Sequence, residues 1–252
     1  FGVFAGTEGL PDAPNPPRLV VDNVGLLDEG YKAALENKLV QFNDSTSNQI
    51  LVLIVDDLLG MDPAEYALEI GRKWGVGTQK FNNGIVFLIK PTGGKGERKT
   101  YIAVGTGLEG AIPDAAAKMI IEREVIPRFK DRQYDKGIDN AVNVLISLAK
   151  KEYSFKTYQK KQEQGSMIGL VIALIITGLF VFIFYRNTKN GNRQTIGSQG
   201  VNNLGWFAAG MMMGSMGRRN SGSGWSDFSS GSGGFGGFGG GSFGGGGAGG
   251  SW

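Results

Sequence analysis

Neither cysteine nor histidine occurs among the 252 residues. Without cysteine there is no disulfide, no thiolate nucleophile and no cysteine-held metal, and the redox compartment leaves no mark on the chain. Without histidine there is no Ser-His-Asp triad, no Cys-His dyad, no histidine phosphatase and none of the usual zinc or iron sites. Any chemistry must therefore run on carboxylates, amides, Lys or Arg, with a hard divalent cation on oxygen ligands. A strong charge imbalance is also missing from the first part of the chain: 21 basic residues face 22 acidic ones up to Glu163, whereas five basic residues follow against Asp227 alone. No interleaved basic and aromatic surface stands out, so a nucleic-acid partner is excluded, and the basic excess suits anionic lipid headgroups.

What is present in excess is an uncharged run. Met167 to Tyr185 reads MIGLVIALIITGLFVFIFY, and at 1.5 Å per residue it covers about 28 Å, close to the hydrocarbon thickness of a bilayer. The run predicts a transmembrane helix. It divides the chain into an extended leader (1–17, with Pro11, Pro14, Pro16 and Pro17), a globular domain (18–150), a basic linker (151–166), the span (167–185), a basic and short apolar segment (186–221) and a tail rich in Gly, Ser and Phe (222–252). The chain begins at Phe1 rather than Met, so a removed signal peptide is expected, with the domain exported. Lys150, Lys151, Lys156, Lys160 and Lys161 before the span oppose Arg186, Lys189 and Arg193 after it. Flanking charge alone thus does not favour export, although long domains translocate largely regardless of it. The expected location is the bacterial cytoplasmic (inner) membrane, with the domain on the extracytoplasmic side and the tail in the cytoplasm. Leu204 to Met216 is apolar but too short to span.

Within the domain, Tyr31, Ala34, Leu35, Leu39 and Phe42 recur at helical spacing behind the capping residue Asp28, which predicts a helix over 28–44. QILVLIVD (49–56) is an apolar, β-branched run suited to a strand buried on both faces. Asp62, Pro63 and Glu65 start a second helix reaching about Trp74. GIVFLIK (84–90) and KTYIAV (99–104) read as an antiparallel hairpin, and 113–124 and 135–150 as two further helices. The element order predicts an α/β fold, an αβα sandwich with a mixed sheet of about four strands, followed by the transmembrane helix and the glycine-rich tail.

Four short stretches carry more information than their periodicity: Val21-Asp22-Asn23-Val24-Gly25-Leu26-Leu27; Tyr66-Ala67 through Trp74-Gly75-Val76-Gly77; Phe81-Asn82-Asn83-Gly84; and Val104-Gly105-Thr106-Gly107-Leu108-Glu109-Gly110 with Ile112-Pro113-Asp114. In this order, over about residues 18–150, they resemble the TPM-domain family, in particular its bacterial membrane-anchored branch with a glycine-rich tail. Gly105-Thr106-Gly107 lacks both the dinucleotide fingerprint and the Walker lysine, so it is not read as a phosphate loop.

The resemblance implies a carboxylate-lined groove holding a divalent cation, often calcium. On that basis Asp22 and Asp114, helped by the Asn82 amide, are expected to form a weak oxygen-ligand Ca2+ site. A turn carboxylate for Asp22, a helix-dipole charge for Asp114 and a turn amide for Asn82 remain the structural alternatives. Some plant relatives are described as acid phosphatases, so a membrane-tethered, cation-associated acid phosphatase is the catalytic alternative, with no catalytic residue assigned. The favoured expectation is a non-enzymatic interaction or assembly module in a membrane complex, with membrane lipid and further copies of itself or a LemA-type membrane protein as partners. Trp225, Phe228, Phe235, Phe238, Phe243 and Trp252 punctuate the tail, and their rings are expected to enter pockets on neighbouring copies or a partner.

Overall fold

The computed structural model describes residues 9–151, 175–182 and 234–252. Residues 9–151 and 234–252 belong to one compact unit, and 175–182 to a second.

The first unit is built on strands that read as sequence runs: β1 (Val20–Asp22), β2 (Gln49–Ile54), β3 (Gly84–Lys90) and β4 (Lys99–Val104). Strands β1, β2 and β3 are parallel, and β4 returns antiparallel to β3 with Lys90 opposite Lys99. The alternation of side chains along a strand sorts them into two cores. Ile50, Val52, Ile54, Ile85, Phe87 and Ile89 lie on one face, with α1 (Glu29–Thr46) and the helices after β4. Leu51, Leu53, Val86 and Leu88 lie on the other, with α2 (Pro63–Trp74). Helices on both faces make the expected αβα sandwich.

The helix starts follow their caps. The Asp28 carboxylate accepts from Tyr31 N at 2.8 Å and that of Asp62 from Ala64 N at 2.8 Å. The helix expected over 113–124 continues instead as α3 (Asp114–Ile120), a π turn (Ile121–Val125) and α4 (Ile126–Lys130), before α5 (Tyr134–Ala149). Pro127 has no N–H to donate and its ring crowds the preceding turn, and the widened turn accommodates both. The leader is tied down from Leu10, which is buried: Lys73 Nζ donates to Leu10 O and Trp74 Nε1 to Pro11 O, both at the end of α2.

The sheet has five strands rather than about four. Beta-5 (Gly247–Ser251) comes from the glycine-rich tail and pairs antiparallel along β4, giving the order β1-β2-β3-β4-β5. GAGGS carries neither alternation nor β-branched residues, which is why pattern does not announce it. The pairing places residues 247–251 alongside β4, in the same compact unit as the domain.

In the second unit, residues 175–182 are helical, and Ile175, Ile176, Leu179, Phe180, Val181 and Phe182 are exposed. Among the described residues no helix is long and apolar enough to cross a membrane; the rest of Met167–Tyr185 lies outside the described residues, as do Trp225 and Phe228.

Candidate functional site

The two edges of the sheet are treated differently. An exposed edge offers unpaired N–H and C=O groups to any passing strand. At β1 the Glu36 carboxylate takes those donors, accepting from Leu19 N at 2.9 Å and from Val20 N at 2.7 Å. At β4 the edge is instead read along its length by backbone, with Lys99 opposite Ser251, Tyr101 opposite Gly249 and Ala103 opposite Gly247. Val104 N donates to Gly246 O, and Gly96 N to Trp252 O.

Around that ladder the domain supplies seats for rings. Trp252 is 4% exposed, edge-on to Phe129 at 4.9 Å between centroids and 6.4 Å from Tyr134. Phe235 joins the same core, Phe243 is buried in the opposite one beside α2, and Phe238 packs against both while lying 6.0 Å from Trp74. The segment thus fills places on both faces of the sheet. Gly71 makes room for Phe243, since a Cβ there would stand 2.6 Å from the ring. Gly75, in the left-handed region at φ 68°, lets the helix end approach the tail, where Gly240 N and Gly241 N both donate to its carbonyl.

The glycines of the tail are equally constrained. A Cβ on Gly249 would meet the Tyr101 ring at 2.7 Å, one on Gly250 would meet Ile126 at 2.7 Å, and one on Gly247 would strike the Ile102 carbonyl. Only a nearly bare backbone fits between β4 and the π turn. Burial, and then the Asp114 and Asp62 carboxylates, hold the Tyr101 hydroxyl above its ordinary value of 10.0, so the ring covering these glycines stays neutral.

The residues expected to bind calcium divide between the two ends of the sheet. Asp22 ends β1 and folds its turn, accepting from Val24 N and Gly25 N on Oδ1 and from Leu27 N on Oδ2. Asn82 precedes β3 and accepts from Ser242 N at 3.0 Å; Asp114 starts α3 and accepts from Gly247 N at 2.7 Å. Asn82 and Asp114 both hold the tail, at the end of the sheet where β3 begins and β4 finishes. Asp22 sits at the other end, on the opposite edge strand, and the two edges are roughly 19 Å apart at about 4.8 Å per strand. The structure therefore brings Asn82 and Asp114 to one site and leaves Asp22 out of it. Among the described residues no three Asp or Glu side chains are placed to share a cation.

The remaining motif residues serve the same region. Asn83 is buried, accepting from Thr78 N and donating to Ser47 O. Gln49 accepts from Gly77 N and donates to Gly237 O at 3.2 Å, and Arg72 donates to Phe243 O at 3.0 Å. Gly105 and Gly107 are bare because the Asn82 and Phe81 carbonyls press on them, which gives Gly105-Thr106-Gly107 a packing role. Gln49, Arg72, Phe129 and Tyr134 are the site residues that sequence reasoning missed; Arg72 reads as a solvated helix face until the tail is in place.

No curated protein matches the chain. Among solved structures, the N-terminal domain of a protein from P. gingivalis, determined in solution by NMR, is 26% identical; the match covers 52% of this chain and 81% of that one, with a TM-score of 0.46. The TPM domain matches residues 20–148, from β1 to the end of α5 and short of the tail strand. With half of its length so matched, the chain belongs to the TPM domain family.

Proposed function

We propose that this protein is a membrane-anchored assembly module of the bacterial envelope, whose TPM domain holds glycine-rich, aromatic-punctuated strands by adding them to its sheet. The observation that carries this reading is the β4–β5 ladder, closed by Trp252 buried against Phe129 and Tyr134. Backbone pairing supplies affinity without regard to sequence, whereas ring seats and spaces that exclude a Cβ supply selectivity. Here the occupant is the chain's own segment, and a further copy or a LemA-type membrane protein is the partner class.

The anchor is the uncharged run Met167–Tyr185. In this reading the domain and residues 234–252, joined by the β4–β5 ladder, share the extracytoplasmic side of the inner membrane. A cation-associated acid phosphatase on calcium is the alternative, and it rests on family resemblance. Phosphoryl transfer by metal ions calls for clustered carboxylates, whereas Asn82 and Asp114 are engaged with tail amides.

Peptide binding tests the proposal. Full-length protein carrying Trp252→Ala, with its own strand weakened, should bind a labelled peptide of residues 234–252 saturably, and should ignore the same peptide with its Phe and Trp replaced by Ala. Equal binding of both peptides by a folded variant would remove the claim of selective strand capture.

A further inference from the structure

The connection between Lys151 and Gly234 is long, and the described acceptor site is built from residues of the domain. Among the described residues the tail is held by backbone hydrogen bonds, rings in seats and side chains on tail amides or carbonyls. The identical segment of any other copy meets the same partners in the same register. Twelve of the nineteen residues from Gly234 to Trp252 are glycine, so the released segment has no core of its own and its ordering entropy holds it open. Released, it leaves behind the unpaired β4 edge and the uncovered rings of Phe129 and Tyr134, so the vacated site and the free strand each seek a replacement.

We infer that the β4 edge takes this strand from a second copy as well as from its own chain, so that copies are joined by exchange of residues 234–252. This deepens the strand-acceptor reading and rests on it. Own and exchanged forms make the same contacts, and the choice between them is one of concentration. A connection of this length presents its own strand at an effective concentration on the order of millimolar or below, falling with its length. Copies confined to one membrane plane compete at that level. In the exchanged pair each copy gives one strand and receives one, which closes on a two-fold axis and leaves no edge open.

The absence of cysteine makes the test clean. Lys99 and Ser251 are register partners across β4 and β5, and facing positions in an antiparallel pair lie within disulfide reach. Full-length chains carrying Lys99→Cys with one tag and Ser251→Cys with another are co-expressed, and membranes are oxidised at increasing expression. The expected product is a disulfide-linked dimer carrying both tags. Its yield should rise with density and stand several-fold above that of Lys99→Cys paired with the out-of-register Ser242→Cys. A chain with both Lys99→Cys and Ser251→Cys reports on the own-strand form by closing within itself. If that chain closes while the mixed chains give no dimer, or no more than the out-of-register pair, exchange is refuted and strand acceptance stands. If neither the double variant nor the mixture links, the strand addition itself is wrong and both readings fall.

Discussion

At the scale of single residues, the seating of Trp252 contains a cost. The indole is buried against Phe129 and Tyr134, yet its Nε1–H finds no partner among the described residues. Burying a large ring stabilises, while burying an unpaired donor destabilises by about 1–3 kcal/mol. Trp252→Ala should therefore lower unfolding free energy by about 2–4 kcal/mol in urea melts, whereas Trp252→Phe should cost less than about 1 kcal/mol, because the lost area is offset by removing the orphaned donor. Equal losses for the two would mean that the ring is not seated as described. A second residue reports on alkaline stability. Burial, then Asp139, Asp135 and Asp28, push the Tyr31 hydroxyl far above its ordinary value of 10.0, and the hydroxyl donates to Asp135 O at 2.8 Å. Above pH 10 the unfolded chain loses the Tyr31 proton while the folded chain keeps it. The unfolded state then binds fewer protons, and stability falls as pH rises. Thermal melts should show Tm falling beyond pH 10, less steeply in Tyr31→Phe even though that variant starts lower. A Tyr31→Phe slope equal to the parent's would place that titration elsewhere.

At the scale of elements, β2, β3, β4, α1 and α2 were legible because each carries a local cause: β-branched runs for the strands, and Asp28 and Asp62 caps for the helices. The hairpin register follows from its strands. Beta-5 was not legible, since a glycine strand owes its place to what surrounds it and not to its own preference. The candidate site was half legible for the same reason. Asn82 and Asp114 stand out as polar groups at element ends, but their partners are amides of Ser242 and Gly247, more than 130 residues away for the latter. Asp22 carries the same kind of signal and turns out to fold only its own turn. Gly71 links the two levels: it is a helix glycine with no local reason, explained by the Phe243 ring at 2.6 Å from any Cβ added there. Gly71→Val should expel Phe243 and loosen the tail while α2 itself gains helix propensity or loses little. Limited proteolysis should then release residues 234–252 from the variant before the parent; identical patterns would show that Phe243 does not lock the segment.

At the scale of the whole molecule, the fifth strand ties the chain's last described residues to its domain, and the proposal of an anchor at Met167–Tyr185 requires both to be on one side of the membrane. Single cysteines at exposed Lys130 and Ser251, read with a membrane-impermeant thiol reagent in intact spheroplasts, should label alike. Labelling of one and protection of the other would contradict a shared compartment. The most direct measurement is residue-resolved amide hydrogen exchange on the full-length protein in detergent. The Val104 and Trp252 amides, which donate to Gly246 O and Arg98 O across the β4–β5 ladder, should be slowed at least about 100-fold relative to a free peptide, with protection lost at both in Trp252→Ala and kept in the core of β3. Free-peptide exchange at Val104 and Trp252 in the unmodified chain, with β3 still protected, would contradict the account: the sheet would then be complete without its tail.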